Sequence, residues 1–465
     1  MNIEHDIKEL LPLVKKYDRS GPRYTSYPTV PVWTKEYTPD DYKAAVNEAS
    51  KNSEEPISIY LHIPFCRRRC WYCGCNTTVG CSDGTVEEYL SHIKKESDII
   101  FNLLRRRNKL SQLHWGGGTP TYLTDEQTVD TLRLFSAKLE FQGNAEIAIE
   151  LDPRTTTPER ITLLKSLGFN RLSFGVQDFN ADVQKAIGRN QDEKETVELY
   201  DHCRREGFER INFDLIYGLP RQNLKRMEQT VQKTIKLRPD RIALYSFAHL
   251  PDVMPHQKNI NTADLPRAET KFRLFYAARR MFLEAGYYQI GMDHFVLPDD
   301  ELAEAARTGK LRRNFMGYTV ESASDWIGFG MSAISYINNN FAQNISHIDK
   351  YNRAVDDTGI ATYRGLKLSD DDTIRQFIIS ELMCHFVVDF KRLQKRFNLD
   401  YREYFKPELS RLDSFIADGL IQFENDAIKV TGPGKIFIRN IAMLFDAYLK
   451  PESRRKPKAK FSRTI

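Results

Sequence analysis

From about residue 55 to about residue 300, short apolar runs of strand type alternate with longer stretches whose apolar residues recur at helical spacing. The strand candidates are SIYLHI, LHWGG, EIAIEL, RLSFGV, INFDLIYG, RIALYSF and YQIGMDHF. Stretches such as VEEYLSHIKKESDIIFNLL and TPERITLLKSLG lie between them and are predicted helical. Strand–helix alternation implies right-handed parallel βα units, an α/β class of fold. In such sheets functional residues gather at the carboxyl ends of the strands.

The two ends of the chain read differently. Residues 1–50 are rich in Tyr, Pro and charge with weak periodicity, and are expected to form an arm packed over the main body. Residues 51–365 form the main domain. Residues 366–465 lose the strand alternation. There DTIRQFIISELMCHFVVDF and GPGKIFIRNIAMLFDAYL read as helices, with hairpin material at Gly419–Val430 between them. Helices with a small hairpin can resemble a nucleic-acid-binding winged helix, but a helical cap on the main domain is the preferred reading.

Composition narrows the class. The chain has 465 residues, 41% hydrophobic and 28% charged, which excludes collagen-like, low-complexity and wholly disordered chains. No uncharged apolar run approaches the roughly 20 residues that cross a bilayer. The first residues do not form a secretory signal, so a cytoplasmic location is expected. A net charge of +5, from 68 basic and 63 acidic residues, implies neither a nucleic-acid nor a membrane partner. The basic segment KPESRRKPKAKFSRTI reads as a solvated tail, with a clamp for an anion as the sharper alternative.

Four of the seven cysteines, Cys66, Cys70, Cys73 and Cys75, crowd just after the first strand candidate, which alternates from Ile57 to Ile63 and stops at Pro64. In a reducing compartment such a group is metal-binding or catalytic. Structural zinc uses paired C-x-x-C units set apart, and no second pair follows here. C-x-x-x-C-x-x-C offers three thiolates on one tight loop, against the four that usually hold a cubane. Three leave one iron open for a ligand. Arg67, Arg68 and Arg69 add positive charge beside the thiolates, and Tyr72 is placed to cover them.

C-x-x-x-C-x-aromatic-C after an early strand resembles the signature of the radical S-adenosylmethionine (SAM) enzymes. Within them the chain is similar nearly end to end to the oxygen-independent coproporphyrinogen III oxidase family. The resemblance rests on Ser20-Gly-Pro-Arg-Tyr-Thr-Ser-Tyr-Pro28, His62-Ile-Pro-Phe-Cys66, Cys73-Gly-Cys75, His114-Trp-Gly-Gly-Gly-Thr-Pro120, Phe174–Phe179, Asp214–Pro220 and Gly291-Met-Asp-His-Phe295. It implies a partial (βα)6 TIM-type barrel and a [4Fe–4S] cluster held by Cys66, Cys70 and Cys73. It implies SAM, two molecules of it. Tyr60, Gly117, Glu150 and Ile334 would border the first. Tyr72, Gly118, Thr119, Gln177, Arg189, Asp214 and Ala248 would border the second. His62 would assist proton handling near the cluster.

The implied reaction converts two propionates of coproporphyrinogen III to vinyl groups by way of a 5′-deoxyadenosyl radical, giving protoporphyrinogen IX. A one-electron reductant protein and a monomeric state are implied with it. Arg23 and Arg313 are candidates to meet the substrate's carboxylates. Met316 departs from the family's usual Gln, and a thioether cannot donate a hydrogen bond. Two other outcomes stay open on sequence: a non-catalytic haem carrier and a haem-cleaving methyltransferase.

Overall fold

The structure, a computed structural model, describes residues 3–320, 323–449 and 461–464. Six parallel strands build its centre: β1 (Ile57–Ile63), β2 (Lys109–Gly117), β3 (Glu140–Leu151), β4 (Arg171–Gln177), β5 (Arg210–Tyr217) and β6 (Arg241–Ser246). They pair in chain order, each parallel to the next. Neither edge closes on the other, so the sheet is an incomplete barrel.

Both edges differ from the sequence reading. Beside β1 lies a further parallel strand, Asp325–Phe329. It continues into an antiparallel meander through Ile334–Ile337, Asn340–Asn344 and Thr362–Lys367. These runs are short and broken by Gly and Asn, which hid them. The boundary expected at residue 365 falls inside the last of these strands. At the other edge YQIGMDHF is not one parallel strand. Gly291, at φ +52, turns it into an antiparallel pair, Tyr288–Ile290 and His294–Val296, on β6.

The period of two in β1 sorts its side chains. Ile57, Ile59, Leu61 and Ile63 are fully buried with Val86, Tyr89 and Ile93 of the helix Asp83–Leu104. Ser58, Tyr60 and His62 take the opposite face, toward the barrel interior. Farther round, Arg171 and Arg241 share Glu301, and Arg171 also pairs with Glu146, a buried ionic plug beneath the site.

The arm contains more regular structure than its composition suggested. Ile3–Tyr17 is helical through Pro12, and Ile7, Leu10, Val14 and Tyr17 fall on one face at helical spacing. That face joins a second core with Ile378, Leu382, Phe437 and Ile441. The helix expected over DTIRQFIISELMCHFVVDF stops at His385. Phe386 turns at φ +60, and Val387–Asp389 joins the Gly419–Val430 hairpin as a three-stranded sheet. GPGKIFIRNIAMLFDAYL forms only short helical turns, Gly434–Phe437, Ile438–Ala442 and Met443–Phe445. Most of the basic tail lies outside the described residues.

Candidate active site

The cysteine loop leaves β1 at Pro64 and is pinned at both ends. Phe65–Cys66 pairs in parallel with Thr78–Val79, and Thr78 N donates to Pro64 O at 2.8 Å. The turn after β2 locks onto the same loop: Gly118 N donates to Ile63 O (2.8 Å) and Thr119 N to Phe65 O (2.9 Å). A Cβ at Gly118 would stand 2.6 Å from the Pro64 carbonyl, and one at Gly117, whose φ is +112, 2.5 Å from the His62 ring. Glycine is required at Gly118 because backbone passes backbone there, and at Gly117 because its positive φ and the His62 ring leave no room for a side chain. From below, His256 Nε2 bonds the Cys73 carbonyl oxygen (2.7 Å), and Gln257 Nε2 bonds that of Tyr72 (3.2 Å).

Cys66, Cys70 and Cys73 border one cavity of about 460 Å³. Tyr72, Gly117, Gly118, Thr119, Glu150, Gln177, Arg189, Asp214 and Ala248 border it too. Tyr60, His62 and Ile334 do not. They line a second cavity of about 1200 Å³, whose wall includes Gly117, Glu150 and Tyr245 in common with the first.

The thiols are prepared for an electron-rich, anionic load. Cys70 Sγ faces Arg154 Nη2 at 3.4 Å and Arg189 Nη1 at 3.5 Å. Asp152 sits between these arginines, bidentate to Arg189 at 3.2 Å and bonded to Arg154 Nη2 at 2.6 Å. A hydrogen bond from Cys75, with Arg189 and Arg69 nearby, lowers the Cys73 thiol to about 7. Burial raises that of Cys66 to about 11. Among the described residues no three His, Cys, Asp or Glu side chains converge on a point that would hold one metal ion. The three sulfurs stand around a space instead. That donor set, flanked by two guanidinium groups and the glycine turn, fits a thiolate-held cluster with a cofactor beside it better than a single zinc.

Two carboxylates face the cavity in different states. Burial alone would raise Glu150, but His114 Nε2 (3.2 Å) and Gly117 N (3.1 Å) hold it below the ordinary range. It is an anion suited to an ammonium group or ribose hydroxyls. Burial, with the charge of Glu150, pushes Asp214 up to about 7. Asn212 Nδ2 (2.9 Å) and Ser173 Oγ (3.2 Å) donate to it. Gln177 closes β4 at φ +66, a strained conformation of the kind that concentrates at functional sites.

His62 is buried, and burial lowers its pKa. Its Nε2 donates to the Asn76 carbonyl (2.9 Å), so Nδ1 accepts from the Tyr60 hydroxyl (3.0 Å). Both ring nitrogens are engaged: Nε2 joins β1 to the cysteine loop, and Nδ1 bonds its β1 neighbour Tyr60.

The larger cavity carries Arg23, Arg69, Arg313 and Arg364. Asp293 gathers two of them: Arg23 Nη2 lies 3.0 Å from Oδ2 and Arg313 Nη1 3.8 Å from Oδ1. His294 Nδ1 bonds the same Oδ1 at 2.7 Å. Burial opposes ionisation of Asp293, but Arg313, His294 and Arg23 together hold it well below the usual carboxylate range. Arg313 Nε and Nη1 are buried with no hydrogen-bond acceptor among the described residues. Met316 lines this cavity as well. On sequence no site role falls to Asp152 or Arg154, nor to Asp293 and His294 within the Gly291–Phe295 motif. A charged pair directly after a strand end, Asp152-Pro-Arg154, was the available signal for the first two.

Half-barrel, three-cysteine loop on the first strand and glycine turn on the second together define a protein of the radical SAM class. Residues 60–234 match the model of the Radical SAM superfamily, and residues 368–437 that of the HemN C-terminal domain. The chain is 43% identical to the oxygen-independent coproporphyrinogen III oxidase of Synechocystis sp., over 97% of each chain. To the Escherichia coli (strain K12) protein of the same name it is 41% identical, over 98% of each. The solved coproporphyrinogen III oxidase (HemN) of Escherichia coli, a radical SAM enzyme, superposes with a TM-score of 0.90 at 40% identity, covering 94% of this chain and 99% of that one. This chain belongs to the oxygen-independent coproporphyrinogen III oxidase family.

Proposed function

We infer that the chain is an oxidoreductase of haem biosynthesis, which oxidatively decarboxylates coproporphyrinogen III to protoporphyrinogen IX with a [4Fe–4S] cluster and SAM. The observation that carries this is the pair of cavities sharing one wall: a thiol-bearing one, and a larger one lined by arginines. At about 1200 Å³ the second exceeds the usual small-molecule pocket of roughly 300–1,000 Å³ and suits a macrocycle. Four carboxylates on the substrate require cations around it, and Arg23 and Arg313 are assigned to them.

When bound, cluster and SAM supply a one-electron cleavage that yields a carbon-centred radical. The chain's own residues hold, orient and shield. Cys66, Cys70 and Cys73 are the cluster ligands in this reading, with Asp152 aiming Arg154 and Arg189 at Cys70. Glu150, Gly117, Tyr60 and Ile334 border one SAM. Tyr72, Gly118, Thr119, Gln177, Arg189, Asp214 and Ala248 border the second. His62 handles protons by way of the Tyr60 hydroxyl, since its Nε2–H is donated to Asn76. Arg67 and Arg68, exposed on the cluster loop and without an ion pair among the described residues, suit an acidic one-electron donor protein. No helix of the described residues is long and apolar enough to cross a membrane. A cytoplasmic monomer without a nucleic-acid partner completes the proposal.

Anaerobic incubation of the reconstituted protein with coproporphyrinogen III, SAM and a reductant tests the reading. Chromatography should show the divinyl product. SAM cleavage without it would overturn the substrate assignment. A methylated, ring-opened product would identify a haem-cleaving methyltransferase instead, and haem binding without turnover a carrier.

A further inference from the structure

The segment 461–464 folds back onto the arm just ahead of Arg23. It pairs with the arm in antiparallel fashion at Ser20 and Arg463. Gly21 N donates to Ser462 O (3.0 Å), Thr464 N to Arg19 O (2.7 Å), and Ser20 Oγ to Phe461 O (2.7 Å). Arg463 Nε adds an ion pair to Asp18 at 2.6 Å. Space is as tight as the bonding. A Cβ at Gly21 would lie 2.6 Å from Met443 Sδ and 2.8 Å from Thr464 Cγ2.

A buried arginine locks the two segments together. Arg439 donates from Nη1 to Arg463 O (2.7 Å) and from Nε to Pro22 O (2.8 Å), and it also bonds Gly21 O. All these partners are carbonyl oxygens, so the guanidinium serves as a clasp between backbones. The next residue of the arm is Arg23, which leaves the clasp to line the large cavity and bond the buried Asp293 behind its wall.

We propose that residues 461–464 are a positioning strap for the substrate site. They hold residues 18–22 in place so that Arg23 stands ready at Asp293 for a substrate carboxylate. The strap borders neither cavity, so it acts through the arm, whose charged contribution to the large cavity is Arg23. Pre-ordering of this kind strengthens binding by removing an ordering cost at the moment of association. The proposal rests on the large cavity being the substrate's, as inferred above.

The test compares the full chain with a chain ending at Lys460, and with Arg463→Ala, Arg463→Lys and Arg23→Ala. Steady-state kinetics with coproporphyrinogen III, iron content and SAM cleavage without tetrapyrrole are measured for each. The truncation and Arg463→Ala should raise KM about five- to tenfold, as expected for a loosened charged contact. Their kcat should stay within about twofold, with iron content and uncoupled SAM cleavage unchanged. Arg463→Lys should recover part of the KM. Truncation combined with Arg23→Ala should be no worse than Arg23→Ala alone, because both remove one contact. If the truncated chain fails to fold, Arg463→Ala carries the test. Unchanged KM in Arg463→Ala, or additive effects of the strap and Arg23 changes, overturns the strap. Absence of turnover by the unaltered chain overturns the substrate reading beneath it.

Discussion

The thiol-bearing cavity and the large cavity share a wall, yet they are built in opposite ways. The first is made at the ends of β1 to β6 taken in order, and it is held by backbone. Gly118 and Thr119 bond main chain of the cysteine loop, and the glycines at 117 and 118 admit no side chain. The second is assembled from the arm, the Tyr288–Val296 turn, residues 313–316 and the meander. Its defining contacts are side-chain ion pairs across hundreds of residues, such as Arg23 to Asp293. The contrast teaches a division of labour. Under the proposed function, radical chemistry has a rigid, shielded frame, whereas a large polyanion is met by long cationic side chains that must be aimed.

If that division is right, substitutions on the two sides should fail differently. Cys73→Ser should be the most damaging, abolishing SAM cleavage by more than about a thousandfold with loss of the cluster's visible absorption. A variant that kept both would end the assignment of the thiol cavity. Gly118→Ala should come next. Its Cβ would meet the Pro64 carbonyl at 2.6 Å, so either the loop or the turn must shift. SAM affinity should drop about tenfold or more while iron is retained, measured by equilibrium dialysis. Arg23→Ala should act on the other side, raising KM for coproporphyrinogen about tenfold and affecting kcat less, since it removes one charge-assisted contact. Equal losses in both constants would erase the proposed contrast.

An effect of another kind, on stability and not on activity, concerns the frame itself. Glu96 is buried among Gly330 N, Asn344 Nδ2 and Tyr351 OH, which all donate to it. Burial nevertheless raises its pKa from 4.5 to about 7. Between those values the folded chain keeps a proton that the unfolded chain releases. Stability should therefore fall as pH rises through that window and level off above it, by on the order of 3 kcal/mol. Chemical denaturation of Glu96→Gln should show a flatter pH dependence. An unchanged slope would assign the effect to other groups.

Much of this is legible in the amino-acid sequence alone. Alternation marked the six parallel strands, and the cysteine spacing marked the loop, because both depend on local geometry. The arm helix was harder to read: Pro12 masked an apolar stripe whose partner lies near residue 440. The edge strands were invisible because their runs are short and their pairing partners distant.

What the sequence determined alone was the three-cysteine loop and the parallel frame that presents it, since each follows from residues within one strand and its turn. What only the tertiary structure decided was which charges meet. Asp152 stands between two arginines, Asp293 joins Arg23 to Arg313, and residues 461–464 clasp the arm. An ion pair is short-ranged in space and indifferent to separation along the chain, so no local pattern records it.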